Sequence, residues 1–524
     1  MTRQARLLGA CRLICGATLT LIFTQNHQDS QQTHNLAAQS LALLPSYPTQ
    51  TQADGPPVRR VNAPYFDAKP IAEHETGIFW FGRVTPTENY ADVRVGYNRN
   101  SLALQANVFD RRVWYDTNAA HNSFAELTAW DAVVFYLDTG SSASNAPSNT
   151  TYRLATEINW SGEQSKFLSV ARGNGAGWTD LGLTVPVTVE GAWRGIGPND
   201  ESDERGWFVR LDIPFSSLGL SGPPAQGSAW RLGVRLFDRD DKAGTPIPVQ
   251  FWPEAMQPDA PSTWGQLGFG FPLPVHPPIA AAQSVTIQQG LNGSVMDAGV
   301  GGGTICAGQY EDKDFFTGFG IANYAKSEYF NIQNQADVAD WPCFSRFYIT
   351  FPLTALPPSL TVISATLTTI QFGNSGQGIP PTPYSSLIQI FTVAEDWQDT
   401  TINWNNAPLA VENVSIARSL VMTQTDPPPA IPVTWDVTQA VDEAHRNGKP
   451  LRLALYDSDA AQNSGKYFWT SDIWDLRAYD RPTLVVVLGD GGPPVPTATP
   501  APTATPDPRL NLHTYLPISL RGLQ

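Results

Sequence analysis

The stretch RGWFVRLDIPFSSLGLSGPPAQGSAWRLGVRLFDRDD, residues 205–241, decides the fold class. In both of its outer parts, large apolar residues alternate with polar ones, which is the pattern of strands with one buried face. These apolar residues are Trp207, Val209, Leu211, Ile213, Trp230, Leu232, Val234 and Leu236. Pro214 has no N–H for a ladder and ends the first strand, and Pro223, Pro224 and Gly227 turn the chain. Two strands that face one core from a long hairpin predict an antiparallel sandwich.

This stretch resembles family 9 carbohydrate-binding modules, in which a strand ends in Ile-Pro, a turn contains Leu-Gly and the next strand closes on Asp. The matching residues are Ile213, Pro214, Leu218, Gly219 and Asp238. Residues 261–267 (PSTWGQL) are similar to the closing strand of the family, and residues 101–104 and 131–138 are similar to earlier strands. The likeness covers about residues 60–271 and implies a sugar-binding sandwich.

The second half of the chain resembles the DNRLRE family of secreted β-sandwich domains, which are related to carbohydrate-binding modules. The segments that carry this likeness are RFYITF (346–351), Trp397, TINWNNAP (401–408), WDVT (435–438), FWTS (468–471) and RPTL (481–484). The likeness covers about residues 283–488 and implies a second sandwich.

The organisation of the chain follows from its length and its Pro-rich stretches. Its 524 residues exceed what one core usually serves. We predict an all-β protein with two antiparallel, jelly-roll-like β-sandwich domains in tandem, a Pro-rich linker and disordered termini. The predicted segments are a signal region (1–42), a disordered lead (43–57), the first sandwich (58–271), the linker (272–282), the second sandwich (283–490), a Pro/Thr stalk (491–509) and a surface or sorting tail (510–524). One helix is predicted at Val437–Asn447 with Asp436 as its N-cap.

The N-terminus predicts export. Arg3 and Arg6 precede a short apolar segment, Leu13–Phe23, which is typical of a cleavable signal peptide. Lipidation at Cys11, within Leu8–Cys11, is the alternative. We therefore expect a secreted or extracellular protein, retained at the cell surface if its tail is a sorting signal, with no transmembrane segment in the mature chain.

The mature chain would keep two cysteines, Cys306 and Cys343. In an oxidising compartment two cysteines favour one disulfide. Two unpaired buried thiols are the alternative.

Charge and motifs narrow the function classes. The formal net charge of -15 disfavours nucleic acid as a partner, because phosphate binding needs clustered Lys and Arg. The sequence contains no Gly-x-Ser-x-Gly and no His-Glu-x-x-His motif. Two acidic groups could ligate a structural Ca²⁺, although turn capping is the favoured interpretation of both. These groups are Asp238, Asp240 and Asp241, and Asp457 with Asp459.

The first resemblance also implies site residues. Its modules hold the sugar between two tryptophans, with an arginine and a glutamate on the hydroxyls. The arginine matches Arg153, whereas Val134 stands at the glutamate position, and Thr128 and Pro258 stand at the tryptophan positions. The candidate stacking residues are therefore the nearby rings, with core packing as the alternative interpretation. They are Trp130, Trp252 and Trp114.

The favoured interpretation is a monomeric, secreted, non-catalytic protein that binds a polysaccharide or a cell-surface glycan and needs no cofactor beyond a structural Ca²⁺. Two alternatives stay open. One is a component of polysaccharide degradation, either a hydrolase acting on O-glycosyl bonds or a lyase. The other is a structural or adhesion protein of the cell envelope.

Overall fold

The computed structural model describes residues 56–490, with the exception of 68, 117–121, 141–143, 159–166, 303–314, 336–342, 377–381, 424, 426 and 460–463. The predicted signal peptide, stalk and tail lie outside these residues, as does Cys306. Cys343 opens a strand, but its side chain also lies outside them. The disulfide therefore stays a prediction.

Strands dominate residues 60–269, as expected from the sequence. They are β1 (Arg60–Ala63), β2 (Gly77–Thr85), β3 (Glu88–Tyr97), β4 (Ser101–Phe109), β5 (Ala132–Asp138), β6 (Thr151–Glu157), β7 (Leu168–Gly173), β8 (Trp178–Asp180), β9 (Thr188–Gly195), β10 (Glu204–Pro214), β11 (Ala229–Phe237), β12 (Gln250–Trp252) and β13 (Gly265–Phe269). A short helix, α1 (Phe124–Leu127), lies between β4 and β5.

These strands form two facing sheets. One has the order β2-β3-β4-β10-β9, and the other has the order β1-β13-β11-β5-β6-β7-β8, with β12 beside β11. β1 runs parallel to β13, whereas the other named pairs are antiparallel. The β-sandwich prediction is confirmed.

The hairpin prediction for residues 205–241 is wrong. β10 pairs with β4 and β9, whereas β11 pairs with β5, β12 and β13, so the Pro-rich connection carries the chain from one sheet to the other. The alternation had identified the buried faces correctly, because Trp207 on β10 and Trp230 on β11 lie in the same core. Alternation reports which face is buried, and it says nothing about which strand is the neighbour.

β10 opens with a bulge that requires glycine. The register against β9 shifts between Glu204 and Gly206, and Gly206 has φ +113°. A Cβ at Gly206 would lie 1.8 Å from the carbonyl oxygen of Val108 on β4. No side chain fits there, because the backbone of β4 is hydrogen-bonded to β10 and lies too close to Gly206.

We expect Gly206→Ala to lower the free energy of unfolding by more than about 2 kcal/mol. Gly175→Ala is the matched control, because Gly175 also has a positive φ (+91°) but would place its Cβ in open space. It should cost only about 1 kcal/mol of backbone strain. Equal losses in denaturant titrations would show that the contact with β4 does not matter.

The second part of the chain is also built of strands. They are β14 (Ala281–Ile287), β15 (Met296–Gly301), β16 (Asn323–Tyr324), β17 (Tyr329–Gln335), β18 (Cys343–Phe351), β19 (Thr361–Asn374), β20 (Leu387–Val393), β21 (Ala410–Arg418), β22 (Ile431–Asp436), β23 (Leu451–Tyr456), β24 (Lys466–Trp469) and β25 (Thr483–Gly489). They form one curled sheet in the order β14-β25-β19-β24-β17-β18-β23-β20-β21, in which β15 joins β18 and β16, and β22 joins β19.

The α-helices among the described residues of this part are α2 (Phe315–Gly318) and α3 (Thr438–Arg446). α3 confirms the helix predicted at Val437–Asn447. The predicted N-cap, Asp436, is wrong: the N-cap residue is Val437. The carboxylate of Asp436 nevertheless accepts the Thr438 N–H at 3.0 Å, so it supports the first turn from one position earlier.

The sheets of residues 60–269 pack directly against the curled sheet through a shared aromatic cluster. At its centre lies Arg346 on β18, which is 1% exposed. Its guanidinium lies 3.8 Å from the ring centre of Trp404 and 4.3 Å from that of Trp80 on β2. Tyr90 and Tyr456 enclose the same group at 5.6 and 5.5 Å. Cation–π contacts of this kind are strongest away from water, so Arg346 joins the two parts of the chain.

Buried polar contacts cross the same interface. The Arg94 guanidinium on β3 donates to Asn334 Oδ1 and to the Asp459 carbonyl oxygen, both at 2.9 Å. Asn62 and Asn413 exchange hydrogen bonds through their backbone and amide groups. Such bonds fix one docking geometry, because a shift would leave buried polar groups unpaired.

Candidate functional site

The structure separates the four predicted site residues. Trp252 is 1% exposed and stacks on Phe79 in the core, with ring centres 3.9 Å apart. Trp114 is 5% exposed. Neither ring has a free face for a sugar, so the stacking roles predicted for Trp252 and Trp114 do not fit their positions. Both rings are core packing groups, which was the alternative interpretation. Their closeness in sequence to the family's tryptophan positions did not reveal that they point into the protein.

Arg153 and Trp130 are half-buried. Trp130 precedes β5, and its ring lies beside Gly244 in the loop after β11. Arg153 lies on β6, opposite Tyr136 of β5, and points away from the sandwich core. Arg153 therefore lies on the outer face of the sheet, beside a second buried cluster that includes Tyr136.

Two half-buried rings surround the guanidinium of Arg153. Its central carbon lies 3.8 Å from the ring centre of Phe124 and 5.1 Å from that of Trp178. Tyr136 packs edge-on against Trp178, with ring centres 5.9 Å apart. Arg153 Nε is buried and has no hydrogen-bond partner among the described residues. We call the surface formed by Phe124, Tyr136, Arg153, Trp178 and Arg235 the Arg153 face.

Arg235 adds a second cation to the Arg153 face. It lies on β11, and its Nη1 donates to the Tyr136 hydroxyl at 3.1 Å. Tyr136 itself is 1% exposed, and this burial raises the pKa of its hydroxyl above the usual range. Burial also lowers the pKa of Arg153, but a guanidinium stays charged at any ordinary pH. The face therefore offers several donors beside aromatic rings.

Local sequence places the two half-buried rings. Phe124 opens α1, which begins with a capping box: Ser123 Oγ accepts the Glu126 N–H, and Glu126 accepts the Ser123 N–H in return. Trp178 opens β8 after a turn in which Asn174 Oδ1 accepts the N–H groups of Ala176 and Gly177. The capping box and the Asn turn can be recognised in the sequence, but the sequence does not show that both rings meet Arg153.

A carboxylate closes one edge of the Arg153 face. The exposed Asp259 accepts the indole N–H of Trp178 at 2.6 Å and fixes the orientation of that ring. Arginine and carboxylate groups hydrogen-bond sugar hydroxyls, whereas ring faces pack on sugar C–H groups. The arrangement can therefore hold a small polar ring, and none of its side chains was predicted except Arg153.

The first acidic group considered for Ca²⁺ has a different membership in the structure. Carboxylate oxygens of Asp110, Asp238 and Asp240 lie within 4.8 Å of one another. Asp241 is not in this group, because its carboxylate accepts the Thr245 N–H. Burial, followed by repulsion from Asp240, raises the pKa of Asp110 to about 8. Burial also raises the pKa of Asp240, to about 6.

Asp457 and Asp459 lie in a different environment. Both are buried, and the carboxylate of Asp459 accepts the hydroxyl of Ser386. Lys466 is buried nearby, and burial lowers its pKa while the two aspartates raise it. A cation of the protein itself thus already balances this pair.

Tryptophans of the second half serve mainly as packing groups. Trp397 and Trp404, which belong to the segments of the DNRLRE resemblance, are both buried. Trp469 is enclosed between Phe372, at 3.9 Å, and the guanidinium of Arg477, at 4.7 Å. Trp474 remains 45% exposed. The described part of this half therefore shows one tryptophan with substantial exposure.

Comparison with known proteins adds a family match. Residues 320–485 match the sequence model of Carbohydrate-binding module family 96. This range lies within the predicted second sandwich; the DNRLRE resemblance itself stays a prediction. No curated protein matches the chain.

Among solved structures, the chain is similar to a family 9 carbohydrate-binding module from Caldicellulosiruptor kristjanssonii, solved with glucose and with cellotriose. The identities are 15% and 14%, and the TM-scores are 0.29 and 0.28. Each match covers 42% of this chain and 100% of the module. Similarity at this level carries no argument about the ligand. No helix among the described residues is long and apolar enough to cross a membrane.

Proposed function

We propose that this chain is a secreted, non-catalytic carbohydrate-binding protein whose Arg153 face holds a sugar of a polysaccharide or a cell-surface glycan. The observation that carries the proposal is the half-buried Arg153 guanidinium on the outer face of a sheet, which lies close to the ring centres of two half-buried aromatic side chains. The family 96 match over residues 320–485 independently supports carbohydrate recognition by the other half.

The chemistry of the Arg153 face suits a sugar better than a purely apolar ligand. Arg153 and Arg235 supply fixed donors, and the hydrogen bond from Arg235 to the buried hydroxyl of Tyr136 holds the second guanidinium in place. An apolar ligand would strip water from these groups and return no hydrogen bond, which costs free energy. A sugar replaces that water with hydroxyls and places its C–H groups against the rings.

Affinity electrophoresis of the full chain in soluble polysaccharides tests the proposal. The panel should hold a neutral β-glucan, a xylan and an acidic polysaccharide, because the two arginines admit carboxylated sugars as well. We expect retardation in at least one gel. We expect Arg153→Ala to weaken that binding at least about tenfold, since a hydrogen bond to a charged group contributes about 1.5–3 kcal/mol. Trp178→Ala should also weaken it, because it removes a ring on which sugar C–H groups can pack.

Exposed residues elsewhere provide matched controls. Arg83→Ala and Tyr479→Ala also remove one arginine and one ring, and these side chains lie 59% and 72% exposed outside the Arg153 face. Retardation that the Arg153-face variants retain in full would overturn the site. Sustained release of reducing sugar by the purified protein would favour the hydrolase alternative, and silence in every gel together with retention on cell envelopes would favour the adhesion alternative.

A further inference from the structure

The ends of two strands and the loop after one of them bring three carboxylates together inside the protein. Asp110 follows β4 directly, and Asp238 and Asp240 follow β11. Their oxygens converge within 4.8 Å, and Asp110 and Asp238 are buried. Asp131, which precedes β5, adds a fourth buried carboxyl group, on which Asp110 and Asp238 act electrostatically. The side chain of Asn89 lies beside Asp110 and Asp238.

Hydrogen bonds within the protein account for only part of this cluster. Asp110 accepts the Arg112 N–H and the indole N–H of Trp207, both at 2.9 Å. Asp131 accepts backbone N–H groups on both oxygens. Asp238 is 4% exposed, yet neither of its carboxylate oxygens has a hydrogen-bond partner among the described residues. A buried carboxylate without partners is costly, so this side chain points to a missing ligand.

Neighbouring arginines offset the negative charge of the cluster only in part. Arg111 and Arg112 act electrostatically on Asp240, and Arg239 acts on Asp238, but each arginine also binds other groups. Arg239 donates to the carbonyl oxygens of Asp238 and Thr128. Arg111 forms an ion pair with Asp203, and Arg112 forms ion pairs with Glu201 and Asp203. The group that would balance Asp110, Asp238 and Asp240 must therefore be positive, small enough to enter between strand ends, and able to accept several oxygen ligands.

We propose that Asp110, Asp238 and Asp240 form a binding site for a divalent cation of the Ca²⁺ class. Ca²⁺ takes six to eight oxygen ligands in flexible geometry, and carboxylates from separate loops provide such a set. The buried carboxyl group of Asp131 lies close to the same site. The bound ion would tie the end of β4 to the loop after β11, which ladder hydrogen bonds do not connect directly.

Terbium(III) luminescence of the full chain tests this site without any sugar. Tb³⁺ replaces Ca²⁺ at oxygen sites, and a nearby indole transfers excitation to it; Trp207 donates directly to Asp110. After removal of metals with a chelator, we expect Trp-sensitised emission on Tb³⁺ addition and its displacement by Ca²⁺. Asp238→Asn and Asp240→Asn should each weaken Tb³⁺ and Ca²⁺ binding at least about tenfold.

Asp241→Asn is the matched control, because it makes the same change one position away, outside the cluster. It should bind Tb³⁺ like the unmodified chain. Melting temperatures measured in chelator provide an independent test of the site. Asp238→Asn should melt higher than the unmodified chain, because it removes repulsion, and Ca²⁺ should no longer raise its midpoint. Absence of sensitised emission in the folded chain, or equal Tb³⁺ affinity of Asp238→Asn, Asp240→Asn and Asp241→Asn, would overturn the site.

Discussion

Trp80→Ala should lower the free energy of unfolding by about 3–5 kcal/mol, the usual cost of deleting a buried tryptophan. Trp80 is 1% exposed and packs edge-on against Phe391 and Tyr456 of the curled sheet, with ring centres 5.0 and 5.6 Å apart. Its loss also exposes one side of the Arg346 guanidinium, which then keeps its charge with fewer partners. Thermal or denaturant unfolding of the purified chain measures this loss.

The position of Trp80 adds a qualitative expectation. Because this ring belongs to the interface between the sheets of residues 60–269 and the curled sheet, its loss should weaken the coupling between the two parts. We expect calorimetry to resolve two transitions in the variant where the unmodified chain shows one. Tyr479→Ala, which removes an exposed ring, should change the free energy by less than about 0.5 kcal/mol. An unchanged single transition would show that the contact does not couple the two halves.

Trp252→Ala should cost a similar 3–5 kcal/mol and leave sugar binding intact. Trp252 stacks on Phe79, and its ring is so close to β13 that a Cβ at Gly265 would lie 2.8 Å from it. The cavity left by the ring would be enclosed on several sides, so the core cannot collapse to fill it. Denaturant titration measures the stability, and electrophoresis below the unfolding range measures the affinity.

Comparison with Trp178→Ala separates the two kinds of tryptophan. Trp178 is half-buried on the Arg153 face, so its loss should reduce retardation in the gel with little effect on stability. Trp252→Ala should show the reverse. Loss of sugar binding by folded Trp252→Ala, with full binding by Trp178→Ala, would restore the role that the sequence had suggested for Trp252.

The interface between the two halves also bears on ligand binding. Arg346, Arg94 and Asn62 are buried there with partners from both halves. A flexible tether would let two binding surfaces orient independently, whereas this interface fixes their relative orientation. Any glycan that contacts both halves would therefore bind without the cost of ordering the linker.

Periodicity, proline positions and composition determined much of this protein by sequence alone. The alternation in residues 205–241 identified the inward faces of β10 and β11. α3 was equally visible from its helical pattern and its terminal glycine. These features depend on neighbours along the chain, and such neighbours are read directly from the sequence.

Tertiary structure alone decided the pairing, the interface and the candidate sites. That β10 and β11 lie in opposite sheets, that Trp252 faces the core, and that Arg153 meets Phe124 and Trp178 depend on residues far apart in sequence. The same holds for Asp110, which joins Asp238 across more than a hundred residues. Local patterns fix which face of a strand is buried, whereas side chains meet only after each strand has chosen its neighbour, and that choice is set by the packing of the whole sheet.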